Sequence, residues 1–120
     1  MKTVMLYALL FAFLLVPVST VSNNDPSIDS GIYVVEFNAS FNAQNRVPWI
    51  ETITECKPLR IDIGKAPDMQ KEHKIVVVPT IIVFNEGEEV ERFQANIMMT
   101  LEATPDEVQE VVDEIILSDF

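Results

Sequence analysis

Residues Ile32 to Phe37 read Ile-Tyr-Val-Val-Glu-Phe, β-branched or aromatic at every position but Glu36. The run does not alternate between apolar and polar side chains, as a strand with one wet face would. It predicts a central strand covered on both sides, so the rest of the chain has to supply two covering layers. Asn38 to Asn42 then forms a polar loop. Beyond it Trp49, Ile50 and Ile53 set an apolar stripe that predicts a helix up to about Glu55. Asn42 or Asn45 suits the cap of that helix, because an Asn side chain accepts from free N–H groups of the first turn. Pro48 falls near its start, where a missing N–H costs little. Tyr33 to Arg46 is therefore a strand, a loop and a helix start in immediate succession.

The remaining elements follow in order. Leu59 to Ile63 is a short strand, Gly64-Lys65-Ala66-Pro67 breaks it, and Asp68 to His73 is a short helix. Val76-Val77-Val78 leads into Pro79. Thr80 to Phe84 and Glu88 to Phe93 are strands joined by Asn85-Glu86-Gly87, a hairpin signal. Glu89 and Glu91 alternate with Val90 and Arg92, the pattern of an edge strand blunted by charge. Thr104-Pro105-Asp106-Glu107 combines a cap, a proline at the first helical position and a capping-box acid. Val108, Val111, Val112, Ile115 and Ile116 then recur at helical spacing, with Glu107, Glu110, Asp113 and Glu114 opposite. Ala95 to Ala103, between the edge strand and that helix, holds Ile97, Met98, Met99 and Leu101. Two roles fit it: a partner surface, or a flap folded back over the core.

Lys2 followed by the apolar run Val4 to Val16 reads as a secretory signal in residues 1–22, with a membrane anchor as the rival reading. Residues 23–30 read as a linker and 31–120 as one domain. Cleavage after Ser22 implies an exported protein, periplasmic or secreted; without cleavage the segment is its sole tie to a membrane. The remaining 98 residues (120 less 22) carry 7 basic and 19 acidic side chains, a net charge of −12. Such a chain is a poor partner for nucleic acid, whose phosphates are bound by Lys and Arg. Cys56 is the only cysteine, so no disulfide can form within the chain and no dithiol chemistry is available.

Two separated stretches resemble the active-site halves of the thioredoxin superfamily. That pattern is an apolar strand with one acid, an aromatic residue, Cys-x-x-Cys and a basic residue. Here Val35-Glu36-Phe37 matches the strand, Phe41 stands where Trp is usual, and Arg46 matches the basic residue. Both cysteine positions are taken by asparagine, in Asn42-Ala43-Gln44-Asn45. Val78-Pro79-Thr80 matches the cis-proline segment at the right spacing. In general look the chain also resembles small thioredoxin-like proteins encoded by bacteriophages. The resemblance implies a thioredoxin-like α/β fold: a four-stranded mixed sheet flanked by helices. It also implies the shorter core of glutaredoxin-like members, since the mature chain has no room for an additional leading strand and helix.

What the resemblance implies for chemistry is mostly negative. An Asn amide is neither a nucleophile nor half of a redox couple, so no catalytic residue is assigned. Glu36 matches the acid beneath the cysteines, and without them it reads as a solvated or internally hydrogen-bonded leftover, or as a tuned buried acid. Cys56 reads as a small half-buried hydrophobe, or as a single reactive thiol. His73 lacks a companion for metal binding and reads as a helix-end surface residue. Neither a cofactor nor a metal site is expected. Asn38-Ala39-Ser40 is a glycosylation sequon beside the loop. The family's binding surface is retained, and there the residue before the cis-proline offers its backbone to an extended peptide. The site residues implied are Phe41, Asn42, Asn45, Val78, Pro79 and Thr80, and the partner a protein or peptide. The alternatives are a single-thiol oxidoreductase using Cys56, or a structural subunit docking through Ile97 to Leu101.

Overall fold

The computed structural model describes residues 26–120. The expected signal or anchor segment, 1–22, lies outside them. Strand β1 (Ile32–Asn38) pairs in parallel with β2 (Lys57–Asp62) and antiparallel with β3 (Thr80–Asn85), which pairs antiparallel with β4 (Glu88–Gln94). The sheet order is β2-β1-β3-β4, so the apolar run is central as expected, and Val34 to Phe37 are all buried. Helix α1 (Pro67–Glu72) covers one face of the sheet and α2 (Pro105–Ser118) the other. This is the expected four-stranded mixed sheet with flanking helices.

Alternation along β1 divides the core in two. Val35 and Phe37 join Ile61, Met69, Ile75, Ile82 and Phe84 on the α1 side. Val34 joins Ile50, Ile81, Val83, Val108, Val112 and Ile115 on the α2 side. Each fully buried aliphatic or aromatic side chain contributes roughly 1.5–3 kcal/mol of gross burial energy. Within the stretch read as linker, Ile28 is buried with the α1-side cluster, so packing begins before Gly31.

The predicted helix after the loop is not an α-helix. Ser40–Asn45 and Ile50–Thr52 are separate 3-10 segments, and neither Asn42 nor Asn45 caps them. Val47 precedes Pro48, a position biased toward extended backbone, and Arg46 is already extended (φ −58°, ψ 151°). The few residues left before β2 are too short a run to offset the cost of nucleating a helix. Val47, Ile50 and Ile53 still face the core. Their three-residue spacing suits a 3-10 turn as well as it suits an α-helix.

The other differences are smaller. Strand β2 begins two residues earlier than expected, at Lys57, because the parallel ladder runs along β1 from Tyr33. In the hairpin, Glu86 and Gly87 both have positive φ (51° and 82°), the two-residue turn whose twist suits paired strands. A register shift opposite Val83 and Phe84 leaves Val90 unpaired in β4, a bulge that further protects this edge. Thr104 caps α2 as predicted, its hydroxyl accepting from the Glu107 N–H at 3.3 Å. His73 is not a plain surface residue. Its ring lies edge-on to Phe84 (5.0 Å between centroids) and 5.7 Å from Phe37, because the six-residue α1 ends directly over the sheet. Among the described residues no helix is long and apolar enough to cross a membrane.

Candidate functional site

Three segments meet at the C-terminal end of β1: the loop and 3-10 segment Asn38–Asn45, the approach to β3 at Val76–Thr80, and the connection from Ala95 to Leu101. The Val78–Pro79 peptide bond is cis. Asn42 stands where the three meet and is only 1 % exposed. Its amide nitrogen donates to Met99 O at 3.1 Å, to Asn38 Oδ1 at 3.2 Å and, more weakly, to Val78 O at 3.4 Å. Its side-chain oxygen accepts from Asn45 Nδ2 at 2.8 Å. The two asparagines therefore bond to each other.

Phe41, one residue earlier, is turned outward and 70 % exposed. With Ile75, Val76, Val78, Ile97 and Met99 it lines a groove of about 360 Å³ that contains no charged side chain. Of the six residues expected at the site, Phe41 and Val78 line this groove. Asn42 lies beneath it, and half-buried Asn45 lies behind Asn42. Pro79 and Thr80 are buried; Thr80 donates its hydroxyl to Val77 O at 2.7 Å and supports the surface without reaching it. Val76, Ile97 and Met99 were not assigned to the site. The available signal was the row of adjacent apolar residues in a connection, left open between two roles. The structure separates them: Ile97 is 98 % exposed and Met98 is exposed too, whereas Leu101 packs with the α2-side core.

Glu36 lies behind the loop, buried to 2 % exposure. One carboxylate oxygen accepts from the Val47 N–H at 2.6 Å, and the other pairs with the Arg60 guanidinium directly across the parallel ladder. Arg60 also donates to Val47 O at 2.7 Å and to both oxygens of Glu51. The Arg60 hydrogen bond holds the Glu51 carboxyl below its ordinary range, and the same bond raises Arg60. Glu36 is thus bonded internally, in a network that fixes the irregular stretch carrying Pro48. Ser40 donates to Asp62 at 2.6 Å; that hydroxyl first, then the Gly64 N–H, holds the Asp62 carboxyl low. The sequon is engaged as well, since Asn38 Nδ2 donates to Asn42 O.

Cys56 is remote from the groove. It precedes Lys57, which pairs with Tyr33 near the start of β1, whereas the site lies beyond Asn38. The five residue steps from Tyr33 to Asn38 are roughly 16 Å of strand. Burial pushes the Cys56 thiol up to about 11. Among the described residues no group of three or more His, Cys, Asp or Glu side chains could hold a metal.

No protein-family profile matches the chain. It is 30% identical over 84 residues to a thioredoxin of Chlamydia trachomatis, covering 65% of this chain and 82% of that one. The chain belongs to the thioredoxin family. An H-type thioredoxin of Fagopyrum esculentum is 31% identical over 71 residues, 53% of this chain and 61% of the relative. Among solved structures, a thioredoxin of Halobacterium salinarum superposes with a TM-score of 0.59 at 21% identity, over 72% of this chain and 75% of that chain. A Schistosoma mansoni thioredoxin gives 0.58 at 17% identity, over 73% and 80%. These superpositions speak for the fold. The thioredoxin fold accounts for the position of the groove, at the end of the central strand where the first loop faces the proline loop.

Proposed function

We propose that this thioredoxin-family chain is redox-inactive and binds an extended segment of a protein partner across the groove between Phe41, Val78 and Met99. One observation carries the reading: the first cysteine position holds a buried amide, Asn42, whose hydrogen bonds are all made within the protein. Thiol–disulfide exchange needs a thiolate attacking a disulfide sulfur, and nothing at this position can do so. Without an α-helix after the loop, the macrodipole that stabilises a thiolate is also reduced. What remains is an uncharged, largely apolar groove lined in part by Val78. The Val78 N–H bonds no protein acceptor among the described residues, and its carbonyl keeps a second lone pair beyond the weak Asn42 contact. An extended segment can pair there as an added strand, with an apolar side chain in the groove.

The relatives named thioredoxin make disulfide reduction the competing reading. The full chain assayed for insulin reduction at neutral pH, with and without Cys56→Ser, decides between them. No turnover above the uncatalysed rate is expected for either. Turnover that Cys56→Ser abolishes establishes single-thiol chemistry in its place, and turnover that survives it overturns the redox-inactive reading altogether.

A further inference from the structure

We infer that Asn42 is a positioning residue, a latch that ties the Asn96–Thr100 loop to the proline loop and so holds the apolar groove in shape before a ligand arrives. The latch stands on geometry alone; its consequence for ligands rests on the peptide-binding reading above.

The Asn96–Thr100 loop is a closed unit. Asn96 Oδ1 accepts from the N–H groups of Met98 (2.9 Å) and Thr100 (3.2 Å) and from the Thr100 hydroxyl (3.0 Å). Asn96 N–H in turn donates to Thr100 O at 3.0 Å. A loop stapled this way keeps its own form but is not thereby fixed to the rest of the domain. At its base it is joined by Ala95 N–H to Pro79 O, 3.1 Å, which continues the β3–β4 ladder. Toward its tip, the hydrogen bond to the site is from Asn42 Nδ2 to Met99 O. Met99 is left-handed (φ 59°), a conformation that a long side chain adopts only when its surroundings hold it.

The bond spans 57 positions in sequence, and the companion bond to Val78 O spans 36. The amide has two N–H groups for three acceptors, so it holds Met99 O at 3.1 Å and reaches Val78 O at 3.4 Å only by a bond shared with the others. A thiol offers a single weak donor and cannot span two carbonyls at once. The exchange of cysteine for asparagine therefore gives this position a new task. The walls it fixes, Val76, Val78, Ile97 and Met99, are uncharged. Gln70 and Asn96 are the polar side chains of the lining and none is charged, so the groove favours a segment carrying a large aliphatic or aromatic side chain over a charged one.

The test is backbone NMR relaxation together with amide hydrogen exchange on the full chain. It compares wild type with Asn42→Ala and with the milder Asn42→Ser, in case the first fails to fold. Alongside it runs the affinity of a linear peptide selected on the wild-type chain from a random library. The loop's own amides bond within the loop, so its attachment is read from backbone NMR order parameters on the same proteins. At Met98 to Leu101 they are expected to fall from rigid values of about 0.85 to below about 0.6 while exchange of β1 and β3 amides stays slow, and peptide affinity to fall with them. Unchanged order parameters in the loop overturn the latch. Faster exchange in β1 and β3 overturns it too, because Asn42 then merely supports the fold. A loosened loop with undiminished affinity overturns the link to binding. If the wild-type chain selects no peptide, the peptide-binding reading fails, and the relaxation data still decide the latch.

Discussion

At the scale of single residues, polar groups that reach the interior are bonded. Glu36, Asn42 and Thr80 are the buried polar residues, and no buried side-chain nitrogen or oxygen lacks a partner among the described residues. An unmatched one would cost about 1–3 kcal/mol. Cys56 shows what half-burial does to a group with no charged partner. Its thiol is held at about 11 against an ordinary 9, by desolvation. The folded chain therefore keeps this proton more tightly than the unfolded chain. The resulting stabilisation is complete below about pH 9, is lost as the pH rises from there, and is gone above about 11. Chemical denaturation between pH 7 and 11.5 should show a decline in that window which Cys56→Ser removes. Alkylation by iodoacetamide should be slow near pH 8 and accelerate toward 11, since the thiolate is the reactive form. Fast labelling at neutral pH is the outcome that contradicts this.

At the scale of elements, the connection from Ala95 to Leu101 decides the most. It divides its apolar residues by direction: Leu101 joins the core, while Ile97 and Met98 point away from it. Such exposure leaves both side chains without a packing role in the core. Ile97→Lys combined with Met98→Lys should therefore shift the unfolding free energy by no more than about 0.5 kcal/mol. Any association through this surface should weaken. Thermal melts with light scattering at two concentrations read both quantities. A loss of several kcal/mol would instead show the loop folded onto the core in solution. The 3-10 segments after β1 carry a related lesson. An apolar residue at every third position is compatible with two kinds of helix, and Pro48 and the shortness of the segment decide between them.

At the scale of the whole molecule, charge is distributed unevenly. Residues 80–120 hold 11 acids and one base, Arg92, so −10 of the net −11 lies in β3, β4, α2 and their connections. Glu88, Glu89 and Glu91 on the edge strand, and Glu107, Glu110, Asp113 and Glu114 on α2, repel one another with little local compensation. Arg92 pairs with Glu89 and lowers its carboxyl, which relieves one site. Screening should relieve the rest. The melting temperature is expected to rise by a few degrees between low salt and about 0.5 M sodium chloride, where the Debye length falls below about 5 Å. A falling melting temperature would show that ion pairs such as Arg60 with Glu36 and Glu51 outweigh the repulsion.

The sequence by itself determined the central strand, the two faces of the core, the hairpin, the capped second helix and the family, because each rests on local signals. A β-branched run, a period of 3.6, a positive-φ turn and a cap are all decided by residues near one another in the chain. It also located Asn42 and Asn45 in the positions where the family pattern has cysteine. Only the tertiary structure decided what Asn42 does instead, because its partners lie 36 and 57 positions away. The same holds for the packing of His73 against Phe84, for the direction of Ile97, and for the burial of Thr80 beneath the groove it was expected to line. Periodicity records which side of an element is apolar. Which loop meets which, and which apolar side chain is left facing water, follows from how the layers close on one another.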